Sequence, residues 1–232
     1  PAEVLFRPMD LEDLETFLKS KPVDVPLTIL GAGTNVLVRD GGIDGVVIRL
    51  GKSFASISVQ DNEIVAGAAA MDVNVARAAA AAGISGMEFL SGVPGTIGGA
   101  IRMNAGAYGR ELYDVIVSAE AVSSDGKRRV FGVSELGLGY RECSVPEGWI
   151  FVSATLRGVI DLQQSIEAQM AKVQAARKES QPIRSKTGGS TFANPVEPGV
   201  GRSKAWELID RAGCRGLQNG DAMVSNFHCN FL

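Results

Sequence analysis

The chain has 232 residues, a formal charge of -3 and a pI near 5.3, so its net charge does not favour binding to nucleic acid or to an anionic membrane. Apolar residues make up 45% and charged residues 21%, a balance that excludes intrinsic disorder. No apolar run approaches the roughly 18 residues of a membrane span, and Cys143, Cys214 and Cys229 lack zinc-site spacing. We therefore expect a cytoplasmic protein with reduced thiols and no metal.

The predicted elements mix helices and strands. Asp10 is placed to cap a helix in which Leu11, Leu14 and Leu18 recur at helical spacing, and Gly83 is placed to end a later one. Residues 124–127, Ser-Asp-Gly-Lys, are typical of a hairpin turn. We predict helices at 11–21, 72–82, 161–178 and 204–212. We predict strands at 27–30, 36–38, 46–50, 57–59, 64–68, 115–122, 129–131, 149–156 and 229–232.

Residues 31–35, Gly-Ala-Gly-Thr-Asn, begin like a dinucleotide-binding turn. A Rossmann turn needs its third glycine inside a helix and an acidic residue about 20 positions further on. Here residues 36–38 favour a strand, and residues 50–56 contain no acid. A loop that joins two strands can instead aim successive N–H groups at one point and form a nest for an anion. A tight structural turn explains the same residues at least as well.

A second glycine-rich segment spans residues 83–109. Eight of its 27 residues are glycine, where an average content of about 7% would give roughly two. Glycine is tolerated at such density where the main chain adopts positive φ or lies against a ligand. A packed series of tight turns is the alternative. Together with the loop at 31–35, the segment favours a large phosphorylated ligand such as a flavin dinucleotide.

The third informative stretch is Gly-Gly-Ser-Thr-Phe-Ala-Asn-Pro at residues 188–195. As a nucleophile, Ser190 would need the only histidine, His228, as its base, and Phe192 breaks the G-x-S-x-G pattern of hydrolases. Within a basic pocket Ser190 could instead donate a proton, or it could simply cap a turn. The role of Arg141 has two interpretations as well: it is either a structural cation or, inside a pocket, a group that binds an anion. The stretch follows a basic run made up of Arg177, Lys178, Arg184 and Lys186.

Seven motifs together resemble those of the UDP-N-acetylenolpyruvoylglucosamine reductase (MurB) family. They are GAGTNVLV, SGVPGTIGGAIRMNAGAYG, GYR, RKESQP, GGSTFANP, AWELIDRAGCRG and HCNFL, and they follow the family order nearly end to end. The short segment between Arg141 and residue 178 resembles the shorter subclass. The resemblance implies an α+β protein: an FAD-binding fold of the vanillyl-alcohol-oxidase (PCMH) type in two subdomains, plus a smaller α+β substrate-binding domain. We expect the FAD-binding domain at 1–160, with subdomains near 1–70 and 71–160, and the substrate-binding domain at 161–232.

The resemblance also implies a reaction and a site. NADPH reduces FAD, which passes hydride to the enolpyruvyl methylene carbon of UDP-N-acetylenolpyruvoylglucosamine, and the product is UDP-N-acetylmuramate for peptidoglycan synthesis. Arg141 and Ser190 match two catalytic residues of the family, the first as the group that stabilises the enolate and the second as the proton donor. Tyr108 and Asn194 match substrate contacts. The residues that the resemblance assigns to FAD are Gly31, Ala32, Gly33, Thr34, Asn35, Gly92, Val93, Pro94, Gly95, Gly98, Gly99, Ala100, Asn104, Gly106 and Ala107.

Three departures from the family pattern affect this assignment. Ala193 stands where many members have lysine, which removes a cationic contact to the substrate. Glu142 follows Arg141 where a neutral or basic residue is more common, so it could partly neutralise the guanidinium. The family continues past Leu232 and has a catalytic glutamate there, while Pro1-Ala2-Glu3 resembles neither a signal peptide nor a natural start. We therefore expect that the natural chain extends beyond both ends.

Two other functions stay open. A flavin oxidase of the same superfamily would share the FAD-binding lobe, although GGSTFANP and HCNFL favour the reductase. A non-catalytic flavin- or nucleotide-binding protein would keep both glycine segments with no need for Ser190. The sequence does not give an oligomeric state, and we expect a monomer.

Overall fold

The computed structural model describes residues 1–182, 185, 187–197 and 201–232, with Glu197 described by its main chain only. These residues form two compact units. The first comprises Pro1–Gly33 and Val38–Val173, and the second comprises Thr34–Leu37 and Gln174–Leu232. The predicted domain boundary at residues 160/161 and the predicted subdomain boundary near residue 70 stay predictions.

The described residues form six α-helices and eighteen strands. The helices are α1 (Leu11–Ser20), α2 (Asp72–Ala81), α3 (Ile97–Arg102), α4 (Val133–Leu136), α5 (Gln163–Ser180) and α6 (Ala205–Arg211). The strands are β1 (Ala2–Phe6), β2 (Leu27–Ile29), β3 (Ile43–Ile48), β4 (Ile57–Gln60), β5 (Glu63–Gly67), β6 (Ile84–Ser85), β7 (Gly106–Ala107), β8 (Arg110–Glu111), β9 (Ile116–Val122), β10 (Arg128–Gly132), β11 (Leu138–Gly139), β12 (Glu142–Cys143), β13 (Ile150–Arg157), β14 (Val159–Ile160), β15 (Val196–Glu197), β16 (Gly201–Arg202), β17 (Gln218–Asn219) and β18 (Ala222–Met223). None of the helices in the described ranges is both long and apolar enough to span a membrane.

A five-stranded antiparallel sheet, in the order β10-β9-β13-β5-β4, contributes most of the core of the first unit. The predicted turn at 124–127 joins β9 to β10, with Val122 opposite Arg128. Helices α2 and α3 pack against this sheet through side chains that include Ala76 and Ala100. Because alanine side chains are short, the helix backbones can lie close to the sheet.

A separate three-stranded parallel sheet, in the order β1-β3-β2, also belongs to the first unit. Helix α1 connects β1 to β2, and its N-terminus is capped as predicted, because the Asp10 side chain accepts a hydrogen bond from the Asp13 N–H. Leu14 and Leu18 of α1 are buried against Ile48 of β3 in a second core cluster. The helical spacing of the leucines therefore reports the buried face correctly.

Two strand predictions are wrong, and one strand at the start of the chain was not predicted. Residues 36–38 are not a strand, and Leu37 is 91% exposed, because no neighbouring strand pairs with this segment of the β2–β3 connection. Residues 229–232 are a turn followed by irregular chain, in which the Phe231 N–H donates to the His228 carbonyl oxygen at 3.0 Å. Strand β1 is missing from the prediction, because its burial pattern is mostly exposed and lacks the alternation of a half-buried strand.

Candidate active site

The loop at residues 31–35 lies between β2 and β3 and presents unpaired main-chain donors. Among the described residues, nothing accepts a hydrogen bond from the N–H groups of Gly31, Ala32, Gly33 or Asn35. Gly33 has φ +76°, a left-handed conformation that glycine adopts without strain. Successive N–H groups around such a residue suit an anion. These donors are compatible with the predicted nest, and its contact with a pyrophosphate stays a prediction.

Close approaches at two glycines bring predicted FAD-site segments together within the first unit. A Cβ added at Gly31 would lie 2.8 Å from Thr96 Oγ1, so the first loop touches the Pro-Gly-Thr turn of the second glycine segment. A Cβ added at Gly92 would lie 2.7 Å from Cε2 of the Tyr108 ring. A side chain at Gly31 would displace Thr96, which is distant in the sequence, and one at Gly92 would displace the Tyr108 ring of the same segment.

Other glycines of the segment at 83–109 are explained by packing. A Cβ at Gly98 would lie 3.1 Å from the Ala68 Cβ, and one at Gly106 would lie 2.8 Å from the Arg110 carbonyl oxygen. The high glycine content therefore has two causes, tight turns and close approach between segments. The structure does not test which of these residues contact FAD.

Arg141 lies in the two-residue turn between β11 and β12 and has φ +58°. A non-glycine residue in this conformation is uncommon and costs on the order of 1–3 kcal/mol. Its guanidinium reaches the second glycine segment, where Nη1 donates to the Asn104 carbonyl oxygen at 3.3 Å and Nη2 to that of Gly106 at 2.9 Å. In the described part of the chain no carboxylate forms an ion pair with Arg141, Glu142 included.

Asn104 is fully buried directly below this turn. Its Nδ2 donates to the Gly139 carbonyl oxygen at 2.9 Å, and its Oδ1 accepts from the Tyr113 N–H at 2.9 Å. Its main chain has φ +37° and ends α3. Both functional groups of the side chain are thus engaged with protein, and the predicted contact between Asn104 and FAD stays a prediction.

The loop with Ser190 belongs to the second unit, and Asn230 holds it. Asn230 is 4% exposed, and its side chain makes two bonds with Phe192, accepting from the N–H at 2.9 Å and donating to the carbonyl oxygen at 2.8 Å. The Asn230 carbonyl oxygen accepts from the Thr191 N–H at 2.9 Å. Ser190 itself is exposed. Asn230 is a site residue that was not predicted from the sequence, although it lies inside the HCNFL motif.

Thr34 lies against the same loop. The structure groups Thr34–Leu37 with the second unit, where a Cβ added at Gly189 would lie 3.6 Å from the Thr34 carbonyl oxygen. Within the second unit, the Thr34 main chain therefore lies beside the glycine that precedes Ser190.

His228 makes contacts other than the one that a base for Ser190 would need. Its Nδ1 accepts from the Asn230 N–H at 3.2 Å, its ring packs against Trp206 and Phe231, and burial lowers the pKa of the imidazole. No hydrogen bond joins it to Ser190 within the ranges that the structure describes. The structure therefore shows no contact that supports the hydrolase alternative.

The two residues predicted to contact the substrate, Asn194 and Tyr108, differ in their surroundings. Asn194 Oδ1 accepts from the Ala205 N–H at 2.9 Å at the start of α6, and Tyr108 is 43% exposed with φ +57°. Their predicted contacts with substrate stay predictions. Arg184 and Lys186 of the basic run lie outside the described residues. Across the ranges described, no group of three or more His, Cys, Asp or Glu side chains could hold a metal ion.

Residues 2–132 match the family described as "FAD binding domain", and residues 181–232 match "UDP-N-acetylenolpyruvoylglucosamine reductase, C-terminal domain". The N–H groups of Gly31, Ala32, Gly33 and Asn35, which have no acceptor among the described residues, remain the predicted site for the phosphates of such a cofactor. The α+β fold and the family match over residues 2–132 define an FAD-containing flavoprotein of the FAD-binding class.

Its relatives narrow the class. The chain is 57% identical over 231 residues to the UDP-N-acetylenolpyruvoylglucosamine reductase of Paramagnetospirillum magneticum and 53% identical over 232 residues to that of Gluconobacter oxydans. Each aligned region covers 100% of this chain and 74% of the relative. The crystal structure of the MurB reductase from Thermus caldophilus matches with a TM-score of 0.84 and 37% identity, over 98% of this chain and 79% of that one. The chain belongs to the UDP-N-acetylenolpyruvoylglucosamine reductase family.

Proposed function

We propose that this chain, with FAD bound, uses NADPH to reduce the enolpyruvyl group of UDP-N-acetylenolpyruvoylglucosamine to UDP-N-acetylmuramate, a step of bacterial peptidoglycan synthesis. The family membership and the FAD-binding domain support the class of reaction. The observation that carries the residue assignment is the setting of Arg141. Its charge has no carboxylate partner in the described chain, and it is bonded to the glycine segment predicted to hold the cofactor.

Arg141 is the group that stabilises negative charge on the substrate. Hydride addition to the enolpyruvyl methylene carbon sends charge toward the substrate carboxylate. A guanidinium fixed by the Asn104 and Gly106 carbonyl oxygens keeps its remaining N–H groups for that carboxylate without reorganising during the reaction. A preorganised donor of this kind contributes about 3–4 kcal/mol in known active sites.

Ser190 is the group that returns a proton to the carbon next to the carboxylate. Asn230 fixes the main chain of the two residues that follow Ser190 and leaves the serine side chain exposed. A serine hydroxyl is a weak acid, but the carbanion that it would meet is strongly basic. A positioned acid of this type contributes about 10²–10⁴-fold to the rate.

The main-chain N–H groups of Gly31, Ala32, Gly33 and Asn35 are proposed to hold the FAD pyrophosphate, and the turn with Thr96 lies beside them. When bound, FAD would supply the hydride transfer between NADPH and the substrate. The residues of the chain position the substrate, stabilise charge and supply the proton.

The experiment is anaerobic stopped-flow spectroscopy of the purified holoprotein. NADPH should bleach the flavin absorbance, and enolpyruvyl-UDP-N-acetylglucosamine should restore it rapidly without oxygen. A flavin that only oxygen reoxidises would instead identify an oxidase. A flavin that NADPH does not bleach would identify a binding protein.

We also propose that the protein acts in the cytoplasm. Cys143, Cys214 and Cys229 are all free thiols, and free thiols persist in a reducing compartment. The expected monomeric state stays a prediction.

A further inference from the structure

We propose that Asn104 is a positioning residue for Arg141: its buried side-chain amide holds the β11–β12 turn at the one place from which the guanidinium reaches the substrate. The inference rests on the proposed role of Arg141. It assigns Asn104 to holding the turn that carries Arg141, in place of the predicted contact with FAD.

The first step is the conformation of Asn104 itself. The Asn104 N–H donates to the Ile101 carbonyl oxygen at 3.2 Å, and the Ala105 N–H donates to that of Ala100 at 2.8 Å. With Met103 as the C-cap, these two bonds form a Schellman motif in which Asn104 is the left-handed residue. Glycine is the usual residue at this place, and it satisfies the backbone better than any other. The asparagine side chain therefore has a purpose beyond ending the helix.

The second step is the pattern of hydrogen bonds that joins this helix end to the turn. The Asn104 side chain donates to the carbonyl oxygen of Gly139, the residue paired with Glu142 at the mouth of the turn. The Asn104 carbonyl oxygen accepts from Arg141 Nη1. Asn104 thus binds both parts of the turn: its side chain binds the main chain of Gly139, and its carbonyl oxygen binds the guanidinium of Arg141.

The third step is the strain at Arg141. Its φ of +58° is unfavourable for a residue with a side chain, so the turn keeps this conformation only while its surroundings hold it. Asn104 is 0% exposed, and a buried amide group is costly to leave unpaired. Its bond to Gly139 therefore resists movement of the turn. A shift of about 1 Å at a catalytic group can cost on the order of 10²-fold in rate.

The main test is Asn104→Gly in the full holoprotein. Glycine keeps the left-handed backbone and removes only the amide. FAD affinity and flavin reduction by NADPH should change less than about threefold, while flavin reoxidation by the enolpyruvyl substrate should slow by about 10–100-fold. The dissociation constant of UDP-N-acetylmuramate, measured by calorimetry, should rise as well, because the product carries the same carboxylate.

The matched control is Asn62→Gly. The Asn62 Nδ2 also donates to a glycine carbonyl oxygen, that of Gly158, at 3.1 Å in the same unit. Losing this bond should lower the melting temperature by a similar amount and leave both half-reactions unchanged. Equal slowing of substrate reduction in both variants would mean that any lost amide bond has this effect, and it would overturn the inference.

A double-mutant cycle with Arg141→Ala separates positioning from general destabilisation. In the Arg141→Ala background, adding Asn104→Gly should slow substrate reduction by less than about threefold relative to Arg141→Ala alone. If Asn104→Gly slowed substrate reduction by the same factor with and without Arg141, the inference that Asn104 positions Arg141 would be overturned. The proposed role of Arg141 in charge stabilisation would be unaffected. If Arg141→Ala alone reduced substrate at the wild-type rate, the proposed function of Arg141 would fall, and this inference with it.

Asn104→Asp is the second variant in case the glycine variant does not retain FAD. Its carboxyl group has nearly the same volume and still accepts from the Tyr113 N–H, and in its ionised form it cannot donate to Gly139, so both half-reactions are measured across a range of pH. The same selective slowing of substrate reduction is expected. Loss of FAD from both variants, with equal slowing of both half-reactions, would assign Asn104 to the cofactor instead.

Discussion

Two buried asparagines hold the two loops on which the proposed chemistry depends. Asn104 bonds to the turn of Arg141, and Asn230 bonds to the residues that follow Ser190. Buried amide groups are normally paired, so each fixes its loop through bonds that are costly to break. The reactive groups thus lie on turns, while the residues that fix them lie in the interior.

Replacing Ser190 by alanine tests its role as proton donor. Flavin reduction by NADPH should stay within about twofold of wild type, whereas substrate reduction should slow by about 10²–10⁴-fold, because a positioned acid is lost. Stopped-flow absorbance measures both half-reactions. The matched control is Ser185→Ala, another exposed serine of the second unit, which should behave as wild type. Equal slowing of both half-reactions by Ser190→Ala would point to a structural role.

Replacing Arg141 by lysine should not be conservative. The guanidinium bonds two separate carbonyl oxygens and still has N–H groups for a carboxylate, whereas lysine offers one point charge. We expect substrate reduction to slow by about 10²-fold. Arg157→Lys is the control, because Arg157 bonds Glu63 through two nitrogens at an exposed site. Wild-type turnover in the Arg141 variant would remove this residue from the mechanism.

Asp72 should make the protein less stable as the pH rises. It begins α2, is 1% exposed, and neither carboxylate oxygen has a partner among the described residues, so burial raises its pKa to about 8. The folded chain therefore keeps a proton that the unfolded chain releases near pH 4. Between these values the free energy of unfolding should fall by up to about 1.4 kcal/mol per pH unit, with no further loss above about pH 8.

Urea unfolding of wild type and Asp72→Asn at several pH values measures this effect. The asparagine variant lacks the titrating group, so its stability relative to wild type should increase steadily from about pH 5 to pH 8. A difference between the two proteins that is independent of pH would show that Asp72 is ionised in the folded protein.

At the scale of elements, contact between the two glycine-rich segments should control FAD affinity. A Cβ at Gly31 would lie 2.8 Å from Thr96 Oγ1, so Gly31→Ala must shift either the Thr96 side chain or one loop relative to the other. We expect the dissociation constant of FAD, measured by flavin fluorescence, to rise at least about tenfold, equivalent to roughly 1.4 kcal/mol. Gly41→Ala is the control in the same β2–β3 loop. A Cβ at Gly41 has no atom within 4 Å, so this variant should keep the wild-type affinity for FAD. Unaltered affinity in Gly31→Ala would separate this contact from FAD binding.

Elements specified by local signals could be predicted from the sequence. The cap at Asp10 with its leucine spacing predicts α1, and residues 124–127 predict the β9–β10 hairpin, because these features act within a few residues. The segments 36–38 and 229–232 have strand-forming side chains but no partner strand. Strand propensity is a weak guide because the strand is stabilised by its neighbours.

The site could be predicted only in part, for the same physical reason. Glycine density located the two segments, but the approach of Gly31 to Thr96 depends on how β2 and α3 are placed by the fold. The sequence pointed to Arg141 as a cation without showing what holds it, because its partners at Asn104 and Gly106 are distant in the chain. Side chains that fix a loop carry no local signal until their partners are known.

At the scale of the whole molecule, the chain combines an FAD-binding domain match over residues 2–132 with a reductase-specific match over residues 181–232. The first provides the glycine segments and Arg141 lies just beyond it, while the second contains Ser190 and Asn230. Flavin binding and proton donation are thus assigned to different parts of the sequence. The central claim is that both parts contribute to one reaction between NADPH and the enolpyruvyl sugar nucleotide.

The most direct test is the stoichiometry of a single anaerobic reaction of the holoprotein. NADPH consumption is followed by absorbance, and the sugar nucleotide is analysed by mass spectrometry. The account predicts one UDP-N-acetylmuramate, heavier than the substrate by two hydrogens, for each NADPH oxidised, with no oxygen required. NADPH oxidation that needs oxygen, yields hydrogen peroxide and leaves the enolpyruvyl group unchanged would contradict it.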